Sequence, residues 1–177
     1  MLGTVPGASR AGGGAVVRWG VLTSPLGDLT VARTGAGLTG VWFADHRGGA
    51  LVGADAERDD AAFEDVRGQL GEYFAGTRTV FDLPLDPPGD AFSRRVWDAL
   101  IRVPHGTTTT YGAIARTLGG IGHAQAVGLA NGRNPLSIVV PCHRVVGRDG
   151  DLVGYAGGLW RKRFLLDLEQ SADERLF

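Results

Sequence analysis

Apolar and β-branched positions cluster in three short runs near the amino terminus, 16–19, 29–33 and 38–43, where the spacing is that of strands. The turn-forming stretches Ser24-Pro25-Leu26-Gly27-Asp28 and Gly35-Ala36-Gly37 separate them, so the pattern predicts an antiparallel meander. The period then changes. Ala62, Val66, Leu70, Tyr73 and Phe74 recur near helical spacing, which predicts a helix over 63–74 with Gly76 as its stop. The stretch 82–90 holds Pro84, Pro87 and Pro88 and is too proline-rich for a regular element. Beyond it Phe92, Val96, Trp97, Leu100 and Ile101 stripe a helix over 93–102, which Pro104 and the turn His105-Gly106 end. Two short helices, 111–118 and 123–132, flank the turn Gly119-Gly120-Ile121-Gly122, and a last helix spans 159–169. Helix, glycine-containing turn, helix has the form of a helix-turn-helix, although a helical corner inside a core reads the same way.

The predicted organisation is therefore α/β in two parts. A disordered arm (1–15) precedes a small sheet-and-helix domain (16–81), a linker (82–90), a mainly helical domain (91–170) and a tail (171–177). The second short helix has an unusual composition. Ala124, Ala126, Gly128, Ala130 and Gly132 carry almost no side chain, and an interior glycine costs a helix roughly 0.5–1 kcal/mol relative to alanine. Close approach to a nucleic-acid surface would offset that cost, and so would tight helix packing.

The chain's one cysteine lies in Pro141-Cys142-His143-Arg144-Val145, at the end of the apolar run Leu136-Ser137-Ile138-Val139-Val140. A thiol at the end of a buried segment, with an imidazole and a guanidinium beside it, predicts a depressed pKa, partial exposure and a reactive thiolate. A lone free cysteine equally fits an inert buried hydrophobe. If the segment is extended, neighbouring side chains point apart, so His143 reaches the Cys142 thiol only through a water. A carboxylate behind the imidazole would fix its tautomer.

Composition narrows the function classes. The chain has 177 residues, 44% of them apolar, with no stretch of membrane length. The first fifteen residues lack the charged start and apolar core of a signal peptide, and a single cysteine fits a reducing cytoplasm. Charge is divided: residues 1–90 carry 7 Arg and no Lys against 12 acids, net −5, and residues 91–177 carry 11 Arg plus Lys against 7 acids, net +4. The basic half holds the cysteine motif and suits a phosphate backbone. Of the 18 basic residues 17 are arginine, a bias that genome composition alone can produce. His46, His105 and His123 show no ligand spacing and no phosphate-loop pattern occurs, so neither metal nor cofactor is expected.

The cysteine motif, preceded by Asn131-Gly132-Arg133-Asn134-Pro135 and followed by Gly154-Tyr155-Ala156-Gly157-Gly158 and a helix bearing Glu169, closely resembles the O6-alkylguanine-DNA alkyltransferases. The resemblance is dense over 90–170 and loose over 16–89. It implies a ribonuclease-H-like first domain and a winged-helix-like DNA-binding second domain. It also implies transfer of an alkyl group from O6-alkylguanine, with O4-alkylthymine a further candidate, onto Cys142 in a single irreversible turnover. The implied partner is double-stranded DNA bound through the minor groove with the base flipped out. The protein is expected to be monomeric, with cooperative binding on DNA left open.

By the same resemblance His143 and Glu169 form the relay, Asn134 ties its turn to the active-site segment, and Tyr111 rotates the target nucleotide. Cys142 and Val145 offer carbonyls to the base, while Tyr155, Ala156 and Gly157 form the pocket lip. Gln125, Ala126, Gly128, Asn131, Gly132 and Arg133 are expected on the DNA side. On residues alone Tyr111 also reads as a core aromatic and Glu169 as an exposed helix carboxylate. The chain departs from the family pattern twice. Ala156 stands where many relatives have serine, and Gln125 where they usually have an arginine that fills the gap left by the flipped nucleotide. The competing readings are a non-enzymatic lesion-binding protein, which would replace the cysteine, and a thiol hydrolase, which multiple turnover on esters would reveal. A methyl-responsive regulator would need an additional cysteine-bearing metal domain.

Overall fold

A computed structural model describes residues 16–174, so the expected arm at 1–15 and the last three tail residues lie outside the described residues. Strands β1 (Arg18–Leu22), β2 (Leu29–Arg33) and β3 (Leu38–Phe43) form the meander, and β4 (Glu57–Arg58) adds in parallel to β1, giving the order β3-β2-β1-β4. The first strand starts later than its hydrophobic pattern predicted. The tight turn Gly27 N→Ser24 O places Leu22 opposite Leu29, and Val16 is left outside the sheet, exposed. Gly20 is required by close approach, because a Cβ there would stand 2.8 Å from Asp60 Oδ1. A 3₁₀ turn, Asp60–Phe63, capped by Asp59, leads into α1 (Glu64–Phe74). The buried face of α1, Val66, Leu70 and Tyr73, is close to the predicted one, and each large apolar side chain so buried contributes about 1.5–3 kcal/mol.

The proline-rich stretch 82–90 is more than a linker. Leu38 N donates to Pro84 O (2.7 Å) and Asp86 N to Leu38 O (2.9 Å), so the segment lies along the free edge of β3. Proline is tolerated there because Pro84 contributes only its carbonyl.

The second part is helical. Asp90 caps α2 (Ala91–Ile101) by accepting from Ser93 N at 2.7 Å. Strand β5 (Thr109–Thr110) pairs in parallel with β6 (Val145–Val146), a contact that the sequence pattern did not reveal. Between them Thr110 caps α3 (Tyr111–Thr117), and a 3₁₀ turn at Ile121–His123 leads to α4 (Ala124–Gly132), so the helix-turn-helix is present. The final helix, α5 (Leu159–Glu174), passes its expected end at 169, since neither glycine nor proline interrupts the following residues.

One hydrophobic cluster joins the two parts, running from Val31, Phe43, Val66 and Tyr73 to Val96, Leu100, Val127, Val140 and Leu165. A shared core couples their unfolding. Calorimetry should therefore show a single transition with equal calorimetric and van't Hoff enthalpies, whereas two separated transitions would contradict this coupling.

Candidate active site

The segment leading to Cys142 is held from both sides. Val41 N donates to Pro135 O (2.8 Å) and Ser137 N to Val41 O (3.0 Å), so β3 grips it at the edge it also offers to 84–86. Asn134 closes the turn from within: its Nδ2 donates to Val140 O (2.9 Å) and its Oδ1 accepts from Leu136 N (3.0 Å). The expected tie between this residue and the cysteine segment is thus present in the geometry. Ile138, buried and β-branched, takes φ +72°, a conformation costing on the order of 1–3 kcal/mol that the surrounding packing must hold.

Cys142, His143 and Arg144 form a 3₁₀ turn, not the extended strand end assumed from sequence. The apolar run feeding it bends through Val139 N→Ser137 O and Cys142 N→Val140 O, and never becomes a strand. The expected partial exposure and depressed pKa are also corrected. Cys142 is 5% exposed, and burial pushes its thiol above the ordinary value, opposed by hydrogen bonding from Asn134 and the charge of Lys162. Arg144 does not serve the thiol. Its guanidinium forks onto Glu169, Nε to Oε2 and Nη2 to Oε1 at 2.9 Å each, and Nη1 reaches Val103 O at 2.6 Å.

Glu169 is the hub of the site and is fully buried, not an exposed helix carboxylate. Oε1 accepts from His143 Nε2 (2.7 Å) and from Tyr73 Oη (2.7 Å), and Oε2 accepts from Gly106 N (3.2 Å). Burial alone would raise its pKa, but the hydrogen bonds from His143 and Arg144 outweigh that and hold it far below the carboxylate range. An ionised Glu169 fixes the proton of His143 on Nε2. Burial pushes the imidazole down despite Glu169, so it is neutral near pH 7, and its Nδ1 has no hydrogen-bond partner among the described residues. This is a base with its lone pair available.

Lys162 is buried with no carboxylate partner among the described residues. Its Nζ donates to Val145 O (2.6 Å), Val153 O (2.7 Å) and Gly154 O (3.3 Å), and burial lowers its pKa to about 8. Val145 O, expected to face the base, therefore already accepts one hydrogen bond, as does Cys142 O from Val145 N, leaving one lone pair on each. Tyr111 Oη contacts Val153 O at 3.4 Å, and burial together with the Cys142 charge raises its pKa. The lip residues are braced by the amino-terminal part: Arg47 N donates to Ala156 O (3.0 Å), and Tyr155 meets Phe43 edge-on at 6.2 Å between centroids. Arg161 bonds Leu26 O, Gly157 O and Asp45 while covering the Phe43 ring. Gly157 is obligatory, since a Cβ would stand 2.5 Å from the Phe43 ring.

On α4, Gln125, Leu129, Gly132 and the capping Arg133 form the exposed face, with Ala126 and Gly128 half-buried beside it. Arg133 thus shares the solvent side with Gln125. Asn131 does not: it is 5% exposed and lies inward with Val127 and Ala130, which removes it from the expected DNA-side set. Trp97 Nε1 donates to Ala130 O (2.9 Å), while among the described residues nothing outside the helix's own backbone and the chain neighbours comes within 4 Å of a Cβ at Gly132. Packing explains the small inward residues. It gives no reason for glycine at 132.

Sequence reasoning missed Tyr73, Arg144 and Lys162 as site residues. Arg144 stood out only as a neighbour of the thiol, and Lys162 only as the single lysine in an arginine-rich chain. Among the described residues no group of three or more His, Cys, Asp or Glu converges as a metal site, and no helix is long and apolar enough to cross a membrane.

The ribonuclease-like domain of 6-O-methylguanine DNA methyltransferases matches residues 17–87, and the DNA-binding domain of the same proteins matches 91–171. A methylated-DNA–protein-cysteine methyltransferase of Mycobacterium tuberculosis is 45% identical over 170 residues, covering 92% of this chain and 99% of the relative. One from Methanosarcina acetivorans is 43% identical over 153 residues, covering 86% and 98%. The crystal structure of Mycobacterium tuberculosis OGT in complex with DNA superposes with a TM-score of 0.82 at 46% identity, covering 88% of this chain and 94% of that one. Matched in both of its parts, and by relatives over nearly their whole lengths, the chain belongs to the O6-alkylguanine-DNA alkyltransferase family, the methylated-DNA–protein-cysteine methyltransferases.

Proposed function

We propose that this chain repairs DNA by direct reversal, moving the alkyl group of O6-alkylguanine onto Cys142 once per molecule. The observation that carries the reading is the buried series Cys142, His143 and Glu169, in which a thiol pushed up by burial stands one residue from a neutral imidazole held by an ionised carboxylate. A water passes the thiol proton to His143 Nδ1, and the Cys142 thiolate attacks the alkyl carbon. The carbon–O6 bond breaks, its electron pair passes to guanine, and the proton held by His143 returns to the purine as the lactam re-forms. Lys162 stabilises the thiolate while it exists. With one cysteine in the chain no thiol is available to regenerate the thioether, so a burst of one equivalent of repaired guanine, with no later turnover, tests the reading. Sustained turnover would contradict it.

The partner is duplex DNA approached through the minor groove by α4, with the lesion base turned out toward Cys142, Tyr111 and residues 155–157. The chain acts as a monomer, and 82–90 marks its domain division. The unexplained glycine at 132 and the exposed Gln125, Leu129 and Arg133 support this face. Gln125 brings neither the charge nor the planar fork of the arginine usual at this position in the family. Because unstacking a base costs a few kcal/mol, Gln125→Arg should speed repair of duplex O6-methylguanine and tighten DNA binding, with little effect on free O6-benzylguanine. Stopped-flow comparison of the two substrates checks this. An equal change on both, or no gain on duplex, would separate residue 125 from base extrusion.

A further inference from the structure

Glu169 receives one hydrogen bond from outside the helical part. Tyr73 stands on α1, 96 residues away in sequence, and its hydroxyl donates to Glu169 Oε1 at 2.7 Å. We infer that Tyr73 is a positioning residue for the alkyl-transfer site, through which the amino-terminal domain sets how strongly Glu169 acts on His143. The inference rests on the proposed relay and deepens it.

Tyr73 is 1% exposed and boxed by the rings of Phe74 and Phe81, each at 5.5 Å, and His105, at 6.1 Å. Phenylalanine would fill that ring-lined box equally well, and a buried hydroxyl costs stability unless it is bonded. The carboxylate is its bonding partner. Oε1 is also the oxygen that accepts the His143 proton at 2.7 Å and Arg144 Nη2 at 2.9 Å, so Tyr73 competes directly with the imidazole for the same charge. The groups facing this cluster are Arg144, His143 and Lys162 from the active-site side, Tyr155 from the lip, the His105 ring edge-on to Tyr73, and the Gly106 N–H on Oε2. The hydroxyl dipole draws charge density from Oε1 and holds its position. Without it the carboxylate pulls harder on the His143 proton, and the imidazolium persists to higher pH.

The test is the pH profile of single-turnover transfer, with the His143 imidazole followed in parallel by NMR, in wild type, Tyr73→Phe, Glu169→Gln and the double variant. In Tyr73→Phe the acid-side midpoint and the imidazole titration should both move upward by roughly half a unit or more, with duplex affinity unchanged. In the Glu169→Gln background the same substitution should add no shift. Difluorotyrosine placed at position 73 by nonsense suppression, nearly isosteric and a stronger donor, should move the midpoint the opposite way and covers the case in which phenylalanine unfolds the protein. A residue needed only for packing would lower the melting temperature and leave both midpoints in place, which would overturn the inference. A shift that persists undiminished in the Glu169→Gln background, where the carboxylate charge is gone, would also overturn it. If Glu169→Gln itself matches wild type in rate and midpoint, the relay fails. If Glu169→Gln is slow while neither Tyr73 variant moves the midpoint, the relay stands and the role of Tyr73 is refuted.

Discussion

Cys142→Ala and Cys142→Ser should abolish alkyl transfer while leaving duplex affinity near wild type. The side chain is 5% exposed, so the substitutions leave Gln125, Leu129 and Arg133, the exposed surface proposed to meet DNA, unchanged. Serine keeps the volume and the hydrogen-bonding capacity but not the chemistry. A hydroxyl ionises far less readily than a thiol, and displacement at an alkyl carbon is the work of a soft, polarisable nucleophile. Alanine removes one buried sulfur, a change in the ordinary range of about 1 kcal/mol, which leaves the fold intact. Single-turnover transfer and gel-shift titration on the same preparations check both halves. Transfer by either variant would move the nucleophile elsewhere in the chain.

The second large effect follows from the raised thiol. Because burial pushes Cys142 up, little of it is thiolate at neutral pH unless a base takes its proton. Removing that base by His143→Ala, or its orienting carboxylate by Glu169→Gln, should slow transfer at pH 7 by about 10²-fold or more. The direction with pH is set by the thiol. An unassisted thiol gains about tenfold in thiolate for each unit below its own pKa, so the deficit shrinks as pH rises toward that value. Wild type, whose proton is taken internally, should change less over the same range. Glu169→Gln has a second consequence, because Arg144 is buried and loses the carboxylate that its guanidinium forks onto. Breaking such a pair costs about 3–5 kcal/mol, so Glu169→Gln should melt well below His143→Ala. Rate profiles above and below neutrality, with melting curves for both variants, separate the kinetic loss from the structural one. Wild-type rates in folded His143→Ala and Glu169→Gln would remove the relay.

Hydrophobic period made the meander, the helix over residues 63–74 and the helix-turn-helix legible before any coordinates, because each buries one face and each is punctuated by glycine, proline or a capping residue. Strand pairing escaped it. The β5–β6 pair is only two residues on each side, and β4 is two exposed residues, too short to carry an alternation. The contact of the proline-rich stretch with β3 escaped as well, because it depends on a carbonyl meeting the strand, and carbonyl geometry leaves no mark on composition. Within the site, Cys142, His143 and Asn134 stand close together in sequence and were legible from their motif. Tyr73 and Lys162 were not, since each enters the site through a long-range contact. The misplaced expectation of an exposed, acidic thiol has the same origin: Arg144 looked like a partner for Cys142 because it is adjacent in sequence, yet the 3₁₀ turn delivers it to Glu169. Asn131 was misassigned because one residue along a helix turns its side chain by about 100°, from the exposed face to the core.

Intact-mass analysis of the protein after incubation with a duplex containing O6-methylguanine, followed by peptide mapping, tests alkyl transfer to Cys142 most directly. One added methyl group per chain, localised to Cys142 and matched mole for mole by restored guanine, is the expected result; restored guanine with an unmodified protein, or a methyl group on any other residue, would contradict it.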